Sequence, residues 1–487
     1  MFRPSFSIMK KKLCVCLLLL LVGSFSATAQ AKKWTLSECV EYALKNNISI
    51  KQSALDIDLA QIDKKGALGN YLPSINANGS HSWNIGLNQN ITTGLLENQT
   101  TQFTSANINV GVNIYSGLQT QNRMRRAKMA LIAAQYQLSK MQDDVSLNVA
   151  NAFLQILFNK ENLKVQQQQL ALNQQQFQRT QELVNAGSTP RGDLMDMKAT
   201  VAASDLAIIN AENALLISKL SLAQLLQLDD FQNFDIADED YTAEQSQTML
   251  ETPESIYDKA KETRVELKIA RANLDIAERD VKISRGALQP TLQGFYSFST
   301  RAGYSDHVVG VVSNVENPTT VIGTVEGTGQ NVIAPNYSPV LGPALPVFDQ
   351  FDENKGHSFG IQVSIPILNG FSASNNVNRS KVALERYKIA YSQAELDLER
   401  NVYTAFTDAK GALNAYESAS AALEARQSAF NYAKEKYDVG IMNAFDFNQA
   451  QTLLSTAQSD LLRAKYDYIF RVKVVEFYFG IPITQTK

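Results

Sequence analysis

The sequence is written twice, and this duplication restricts the folds that the chain can adopt. The segment that begins at Thr35 resembles the one that begins at Thr252, and the segment from Tyr71 resembles the one from Leu288, both at a spacing of 217 residues. Farther along, "INVGVNIYSG" resembles "IQVSIPILNG", and two glycine turns match, at a spacing of 253 residues. The second half therefore contains an insertion of 36 residues, the difference between the two spacings. We expect the other elements of the fold to occur in two copies.

The first residues have the layout of a cleaved secretory signal. A basic start precedes the apolar run "LCVCLLLLLV", which ends in the small residues of "ATA". We expect maturation after Ala29, so that residues 1–29 are a signal peptide. Cleavage would leave Cys39 as the single cysteine of the exported chain, which excludes an internal disulfide.

The charge and hydropathy of the exported chain exclude two classes of function. Loss of four basic residues with the signal peptide takes the formal net charge from −3 to −7, and an acidic chain is a poor partner for nucleic acid. After residue 29 no apolar run approaches the ~18 to 20 residues of a membrane helix, so no inner-membrane span is expected. If this exported chain crosses a membrane, we expect it to do so with strands.

Each half begins with a helix signal and continues with a strand signal. Thr35 and Thr252 are the predicted N-terminal caps of helices of roughly 30 residues that end before Pro73 and Pro290. In the segments that follow, aliphatic residues alternate with asparagine, serine, glutamine and glycine, which is typical of strands with one apolar and one polar face. The predicted lipid-facing residues are Ile108, Val110, Val112, Ile114, Ile361, Val363, Ile365 and Ile367. The opposite residues Asn107, Asn109 and Asn113 are predicted to line a channel, with the wet face of a simple sheet as the alternative.

The longest predicted element of each half is a helix between two glycines, Gly117 to Gly187 and Gly370 to Gly440. Its apolar residues recur every seven positions, which is coiled-coil spacing, and both halves share one shift of phase. At 1.5 Å per residue, ~67 residues make a rod of roughly 100 Å. A returning helix about half as long follows each glycine turn. The sequence therefore predicts two long helical hairpins that end in tight turns.

These patterns predict the organisation of the chain. Residues 30–230 form a first structural repeat of helix, strand pair and long helical hairpin, and residues 252–482 form a second. An acidic connector, 231–251, joins them. The insertion lies in a longer loop at 303–356, which carries five of the twelve prolines and is predicted to be a surface excursion.

Four amphipathic strands are too few for a membrane barrel, because such barrels need about eight strands and no free edge. Several chains must therefore pool their strands. We expect a mainly α protein with a small β part, in which long antiparallel α-hairpins form an α-barrel. This α-barrel would be joined to a transmembrane β-barrel that several copies complete with four strands each.

Three groups of residues together resemble the TolC-like outer-membrane efflux factors over essentially the whole exported chain. They are the opening "L…V…AL.NN" from Leu36 to Asn47, the junctions "YSG" at 115–117 and "LNG" at 368–370, and the turns "NAG…D" and "DVG…D". The resemblance implies a homotrimer in the outer membrane of a Gram-negative bacterium, with a 12-strand barrel and a 12-helix periplasmic tunnel. It also implies the channel of a tripartite export or type I secretion system, which passively conducts small toxic compounds or secreted polypeptides. Its partners would be a periplasmic adaptor, also called a membrane fusion protein, and an inner-membrane transporter.

The resemblance also implies a gate at the hairpin tips. In the family, a tyrosine before the second turn and an aspartate pair spaced i, i+3 after it hold the pore shut. Tyr437 and Asp446 match the tyrosine and the first aspartate, but Gln449 stands in place of the second, and Met442 replaces a basic residue. The aspartate pair occurs instead in the first repeat, so the gate candidates are Tyr437, Asp446, Asp193 and Asp196. Asp446 could also act as a plain helix cap, a role worth ~0.3 to 1 kcal/mol.

The turns themselves are predicted to dock the periplasmic adaptor, with ordinary turn packing as the alternative. The docking candidates are Gly187, Ser188, Thr189, Gly440, Ile441, Met442 and Phe445.

The sequence contains no arrangement typical of an enzyme or a metal site. The three histidines, His81, His307 and His357, have no second ligand at metal spacing. The glycine-rich "GTVEGTGQ" does not follow a strand and open a helix, so it is not a phosphate-binding loop. We expect no catalytic activity, no cofactor and no metal. The alternative to an export channel is a periplasmic coiled-coil scaffold or adaptor without a membrane barrel, and the amphipathic strands argue against it.

Overall fold

The computed structural model describes residues 33–90, 94–228, 230, 233–238 and 246–483. The signal peptide predicted for residues 1–29 lies outside the described residues, and the connector at 231–251 is described only in part.

Helices make up most of the described chain. They are α1 (Leu36–Asn46), α2 (Ile48–Gly69), α3 (Gln119–Asn185), α4 (Arg191–Leu226), α5 (Pro253–Thr263), α6 (Val265–Gly286), α7 (Val347–Glu353), α8 (Ser372–Asp438) and α9 (Ala444–Phe479). The strands are β1 (Lys33–Trp34), β2 (Ser74–Gln89), β3 (Leu96–Ser116), β4 (Asp235–Ile236), β5 (Thr291–Gly303), β6 (His307–Ser313), β7 (Thr319–Thr324), β8 (Asn331–Pro335), β9 (Tyr337–Gly342) and β10 (Gly356–Ser364).

The chain divides into two compact units, and each takes residues from both halves of the sequence. The helical unit contains the described residues of Met1–Leu59, Ile132–Asn273 and Tyr387–Lys487, and the sheet unit contains Ala60–Leu131 and Leu274–Arg386. The compact units therefore do not correspond to the predicted sequence repeats.

Each predicted opening helix is two helices, so the expectation of one continuous helix was wrong. Thr35 caps α1 through a reciprocal pair of hydrogen bonds with Glu38, and Thr252 caps α5 with Pro253 in its first turn. The first helix ends at Asn47, whose backbone is extended and whose side chain donates to the carbonyl of Leu225 at 3.0 Å. One extended residue hardly changes a helical periodicity, which explains why the pattern did not reveal the break.

The second break falls 217 residues later, at Arg264, which is buried. Its guanidinium lies 3.8 Å from the ring centroid of Phe477 and forms ion pairs with Asp143 at 3.2 Å and Glu266 at 3.0 Å. Burial raises the pKa of the Asp143 carboxyl, and the nearby Arg264 opposes that shift. A buried cation thus replaces the asparagine of the first repeat at the same structural position.

The two long helices, α3 and α8, each have 67 residues, as the sequence predicted. Their heptad residues are fully buried in the middle of the helical unit, at Val149 and Ile156 on α3 and at Val402 and Ala409 on α8. Closer to the turns, heptad residues such as Leu170 are only half-buried in the single chain. The heptad pattern therefore marks the core in the middle of each helix and a shallower seam toward its end.

One expectation about membrane helices needs correction. By length and composition alone, α4 is apolar enough to cross a membrane, with a mean hydropathy of 1.3 over its best 18-residue window. The sequence analysis counted uninterrupted apolar runs, whereas polar residues interrupt the apolar ones in α4. Only 22% of that window is buried. The buried residues of α4 include a heptad series, Met197, Ser204, Ala211 and Ser218. This spacing is that of a hairpin helix packed along one side.

A salt-bridge cluster ties β1 to the start of the connector. β1 pairs in parallel with β4, and Asp238 accepts from Lys160 at 2.6 Å and from Lys33 at 2.8 Å. These hydrogen bonds lower the pKa of Asp238 from 3.8 to about 2. The cluster therefore stabilises the fold above pH ~4, and this contribution is lost as the pH falls toward 2.

The four predicted strands form one antiparallel sheet in the order β10-β5-β3-β2. The register places Ile75, Val110 and Tyr296 in one row across the sheet, and Ile108 beside Phe298 in the next row of the same face. On the opposite face Asn109 accepts a hydrogen bond from Ser297 at 2.8 Å. One face of the sheet is therefore apolar and the other polar, as the alternation predicted.

β10 is shorter than predicted. It ends at Ser364, so Ile365 and Ile367 lie outside the strand. Pro366 follows, and proline has no backbone N–H to donate to a strand ladder. The period-2 pattern continued past the residue at which pairing stops.

The strands meet the helices at one end of the sheet through a close backbone contact. Gly117 and Leu118 both have left-handed backbones, with φ of 63° and 60°, as do Gly370 and Phe371 in the second repeat. A Cβ atom on Gly286 would lie closer than 3.0 Å to the carbonyl oxygen of Gly117, and a Cβ on Gly117 would collide with Gly286 in return. Glycine at both positions allows α6 and the end of β3 to touch.

The predicted surface loop at 303–356 contains regular structure. β6 pairs with β9 and β7 pairs with β8, and α7 follows them. Backbone hydrogen bonds between Asn314 and Asn336, and between Asn336 and Pro318, connect the two strand pairs. Residues 307–342 thus form one continuous antiparallel ribbon, which we call the ribbon.

We predict that Gly286→Ala destabilises the sheet unit by about 1–3 kcal/mol, because the new methyl group has no room beside Gly117. The control is Gly66→Ala in α2, where no other atom lies within 4 Å of the position that the new methyl group would take. There alanine should be neutral or stabilising by about 0.5–1 kcal/mol, since it favours a helix over glycine. Thermal unfolding of the purified protein measures both, and equal effects of the two variants would contradict the contact.

Candidate functional site

Both hairpins end in the same type of helix-terminating turn. Gly187 and Gly440 have left-handed backbones, with φ of 76° and 78°. After them, the N–H of Ser188 donates to the carbonyl of Leu183, and the N–H of Ile441 to the carbonyl of Lys436, both at 2.9 Å. This six-to-one bond is the Schellman arrangement, which satisfies the last carbonyl groups of a helix. The two glycines are therefore required by the turn itself.

The turns differ in how the returning helix begins. In the second hairpin, the Asn443 side chain accepts from the N–H of Asp446 at 2.8 Å and donates to the Asp446 carboxylate at 2.9 Å. In the first hairpin Pro190 precedes α4 and provides no side-chain cap. Asp446 is thus occupied by the capping role that the sequence offered as its alternative. Asp193 is half-buried and Asp196 is exposed, and neither carboxylate makes a hydrogen bond or ion pair within the described residues.

An aromatic cluster fills the second hairpin near its turn. The ring of Tyr437 stacks on Phe447 at a centroid distance of 4.6 Å, and Phe430 lies 5.6 Å from the same ring. Met442, one of the docking candidates, packs against this cluster. Tyr437 and Met442 therefore contribute to turn packing, whatever further role they have.

The side chains that project from the second turn are apolar. Ile441 is 77% exposed and Phe445 is 73% exposed. At the first turn Gly187 and Ser188 are exposed and Thr189 is half-buried. The structure thus leaves most docking candidates accessible and buries part of Met442.

An ion pair that the sequence analysis missed joins the two hairpins. Arg179 of α3 donates to the carboxylate of Asp438, the last residue of α8, and to its backbone carbonyl. The same guanidinium lies 5.7 Å from the ring centroid of Tyr437. Arg179 and Asp438 are 259 residues apart in the sequence, so no local pattern could have indicated their contact.

Polar side chains are buried between the helices above the turns. Asn173 of α3 donates to Ser204 of α4 at 2.6 Å, and Asn448 of α9 approaches the sulfur of Met197 at 3.2 Å. Gln451 is 2% exposed, and neither atom of its side-chain amide has a hydrogen-bond partner. An unsatisfied buried amide costs stability, so this part of the second hairpin is held less tightly than an apolar core.

The described residues contain no group of three histidine, cysteine, aspartate or glutamate side chains arranged to hold a metal ion. In the sheet, His81 pairs with Thr104 at 2.8 Å and lies against Trp83, while His357 contacts Tyr296 and Phe298. These two histidines belong to aromatic clusters of the apolar face.

Comparison with known proteins places these features in a family. A sequence profile described as "Outer membrane efflux protein" matches residues 39–227 and 256–473. The chain is 24% identical over 477 residues to outer membrane protein TolC of Vibrio cholerae, an alignment that covers 94% of this chain and 93% of the relative. It is 22% identical to outer membrane protein TolC of Escherichia coli K12, covering 94% of this chain and 84% of the relative.

Solved structures share the fold. The outer membrane channel CmeC of Campylobacter jejuni superposes with a TM-score of 0.71 at 17% sequence identity, covering 93% of this chain and 87% of that one. VceC of Vibrio cholerae gives a TM-score of 0.73 at 13% identity, with coverages of 92% and 96%. The profile match includes the strands as well as the helices, so a periplasmic scaffold without a barrel is not favoured. Because the match takes in both repeats, the chain belongs to the outer membrane efflux protein family and is an efflux channel of the Gram-negative outer membrane.

Proposed function

We propose that three copies of the chain form one passive exit duct, which works with a periplasmic adaptor and an inner-membrane pump and performs no chemistry of its own. The duct would conduct small toxic compounds or secreted polypeptides. The observation that carries the assembly is a contact between the two repeats that the chain makes only once.

The sheet has two open edges and an uncovered apolar face. β2 and β10 are the edge strands, and Ile85, Phe359 and Ile361 are among their exposed residues. Free edges and an exposed aliphatic face require other strands and an apolar surround. Three copies would supply twelve strands, which exceeds the minimum of about eight for a closed membrane barrel.

The repeat predicts which edges meet. Within the chain β3 of the first repeat pairs with β5 of the second, with Ile108 opposite Phe298. The equivalent strands, shifted by 253 and −217 residues, are β10 and β2. This places Ile361 of one copy opposite His81 of the next.

Two further contacts follow the same rule. Arg126 of α3 and Asp280 of α6 form an ion pair at 2.6 Å, and their equivalents are Arg379 and Asp63. Gly117 touches Gly286, and their equivalents are Gly370 and Gly69, where an added Cβ would meet no other atom within 4 Å. Both equivalent pairs have complementary residues but no contact with each other within the described part of the chain. A neighbouring copy completes each of them in the proposed trimer.

We propose that the hairpin tips are the gate. The Arg179–Asp438 ion pair joins the two hairpins beside Tyr437, and both partners are about 40% exposed. A partly exposed ion pair is worth ~0.2–1 kcal/mol, so it can hold a closed tip and still be opened at small cost. Asp446, Asp193 and Asp196 would face the pore, and the exposed Ile441 and Phe445 would dock the adaptor together with the residues of both turns.

The proposed interface between copies predicts a charge-exchange result. Asp63→Arg and Arg379→Asp should each weaken the trimer, because each places two like charges at the interface, and the double exchange should restore it. The temperature at which detergent-purified trimer dissociates measures this, with a shift of a few degrees expected in each single variant. Asp280→Arg is the matched control, since it disturbs the equivalent pair inside one chain and should reduce folding stability. No recovery in the double exchange would argue against this interface.

The apolar face predicts a difference between adjacent positions on β3. Val110→Arg should prevent assembly in the outer membrane, because an arginine facing lipid costs ~2–4 kcal/mol near the bilayer midplane. Asn109→Arg, on the polar face, should be tolerated. The amount of heat-stable trimer in outer-membrane fractions decides between them, and equal tolerance would mean that the faces are assigned to the wrong sides.

The gate predicts a change of conductance. Arg179→Gln and Asp438→Asn should each raise the single-channel conductance of the reconstituted protein several-fold, since each removes the ion pair between the hairpins. Exchanging the two charges, Arg179→Asp with Asp438→Arg, should return it toward the original value. Lys434→Gln removes a charge from the same end of α8 outside this ion pair and should change little. Unchanged conductance in both single variants would exclude the ion pair as a latch.

A further inference from the structure

The ribbon at 307–342 exposes an unusual amount of aliphatic surface for a two-stranded element. Every residue of β6 after His307, and every residue of β7, is exposed. Val315, between them, is 93% exposed. An isolated two-stranded ribbon is marginally stable in water, and an exposed patch of this kind marks a contact surface.

Both faces of the ribbon are aliphatic. Val311 pairs with Pro339 and Val312 pairs with Ser338, so these neighbouring valines lie on opposite faces. In the outer section Val321 pairs with Ile333, and Gly323 pairs with Val332 on the other face. A strand that lies against water on one side would alternate with polar residues. The pattern therefore indicates that the ribbon is covered.

Charge narrows the class of partner. Between Arg301 and Lys355 the chain has no lysine or arginine, while Asp306, Glu316 and Glu326 are acidic. Such a segment has no cation for the phosphates of a lipid headgroup or for an acidic protein surface. The cover must be apolar and must tolerate negative charge, as another ribbon of the same sequence does.

The faces rather than the edges are suited to this contact. Pro335 and Pro339 lie in β8 and β9, and proline interrupts the row of N–H groups with which an added strand would pair. Proline on an edge strand is a known protection against strand addition.

The root of the ribbon is fixed to the sheet. The Gln350 side chain of α7 bonds both the N–H and the carbonyl of Gly303 at 2.9 Å, and Thr300 donates to the carbonyl of Phe351 at 2.8 Å. In an oligomer of this chain, every ribbon therefore starts from the same end of its sheet, opposite the end that meets the helices. Tethering of this kind gives identical segments a high effective concentration for one another.

We propose that the ribbon packs through its apolar faces against the ribbons of the other copies, forming an apolar cluster over the outer mouth of the channel. This inference rests on the homotrimer proposed above. The thirteen residues of β6 and β7 span ~40 Å at about 3.3 Å per residue, a reach that allows ribbons from different copies to meet.

Single cysteines test this contact directly, because a crosslink between identical positions always joins two chains. Val311→Cys and Val312→Cys place the thiol on the two faces, and Phe348→Cys on α7 is the exposed control outside the ribbon. Cys39 is fully buried, so the parent protein provides the background. With a short bismaleimide on outer-membrane fragments, we expect most of the chain to become covalent dimer in at least one ribbon variant and not in the control.

The mass of the detergent-purified particle separates failure of this inference from failure of the trimer. A particle of three chains in which neither ribbon cysteine crosslinks overturns the ribbon contact and leaves the trimer in place. A ribbon cysteine that crosslinks only to another protein or to lipid also overturns it. A particle of one chain overturns the homotrimer, and the ribbon inference with it. As a second measurement, replacing residues 307–342 with a short Gly-Ser turn should lower the dissociation temperature of the trimer, and an unchanged temperature counts against the contact.

Discussion

The pairing of β3 with β5 is the interaction on which the rest of the sheet depends, because it joins the last strand of one repeat to the first strand of the other. It aligns apolar residues into one continuous face and brings Gly117 against Gly286 at the junction with the helices. The same pairing leaves the outer strands without partners. A single chain therefore contains the specification of its own assembly, in which the open edges carry the residues that would repeat the internal contact.

The hairpin tips show how two repeats with one backbone plan acquire different properties. Both turns use glycine in the left-handed conformation, yet only the second returning helix has an asparagine cap and an aromatic cluster beneath it. The first hairpin contributes Arg179, which reaches the end of α8. A partly exposed ion pair and the unsatisfied amide of Gln451 hold this region weakly compared with an apolar core, and weak restraint is what a movable tip needs.

Much of the fold was predictable because it is periodic. Helix lengths, the glycine turns and the two faces of the strands follow from spacing alone, and Thr35 and Thr252 cap helices as their sequences indicate. The breaks at Asn47 and Arg264 were missed because one extended residue leaves the helical period almost unchanged. The Arg179–Asp438 ion pair was missed because its partners are brought together only by packing of separate hairpins. The ribbon was expected as an irregular loop, since its prolines and glycines obscured the strand alternation.

The duplication sets how often any one feature recurs around the channel. A chain of half this length would need six subunits to supply the same twelve strands, and an insertion in its strand-to-strand loop would then appear six times. In the fused chain, the 36 extra residues occur in one repeat only, so a trimer carries three such insertions and three short hairpins in alternation. Gene fusion thereby halves the symmetry of the outer rim and leaves room there for large appendages that a sixfold ring would crowd out.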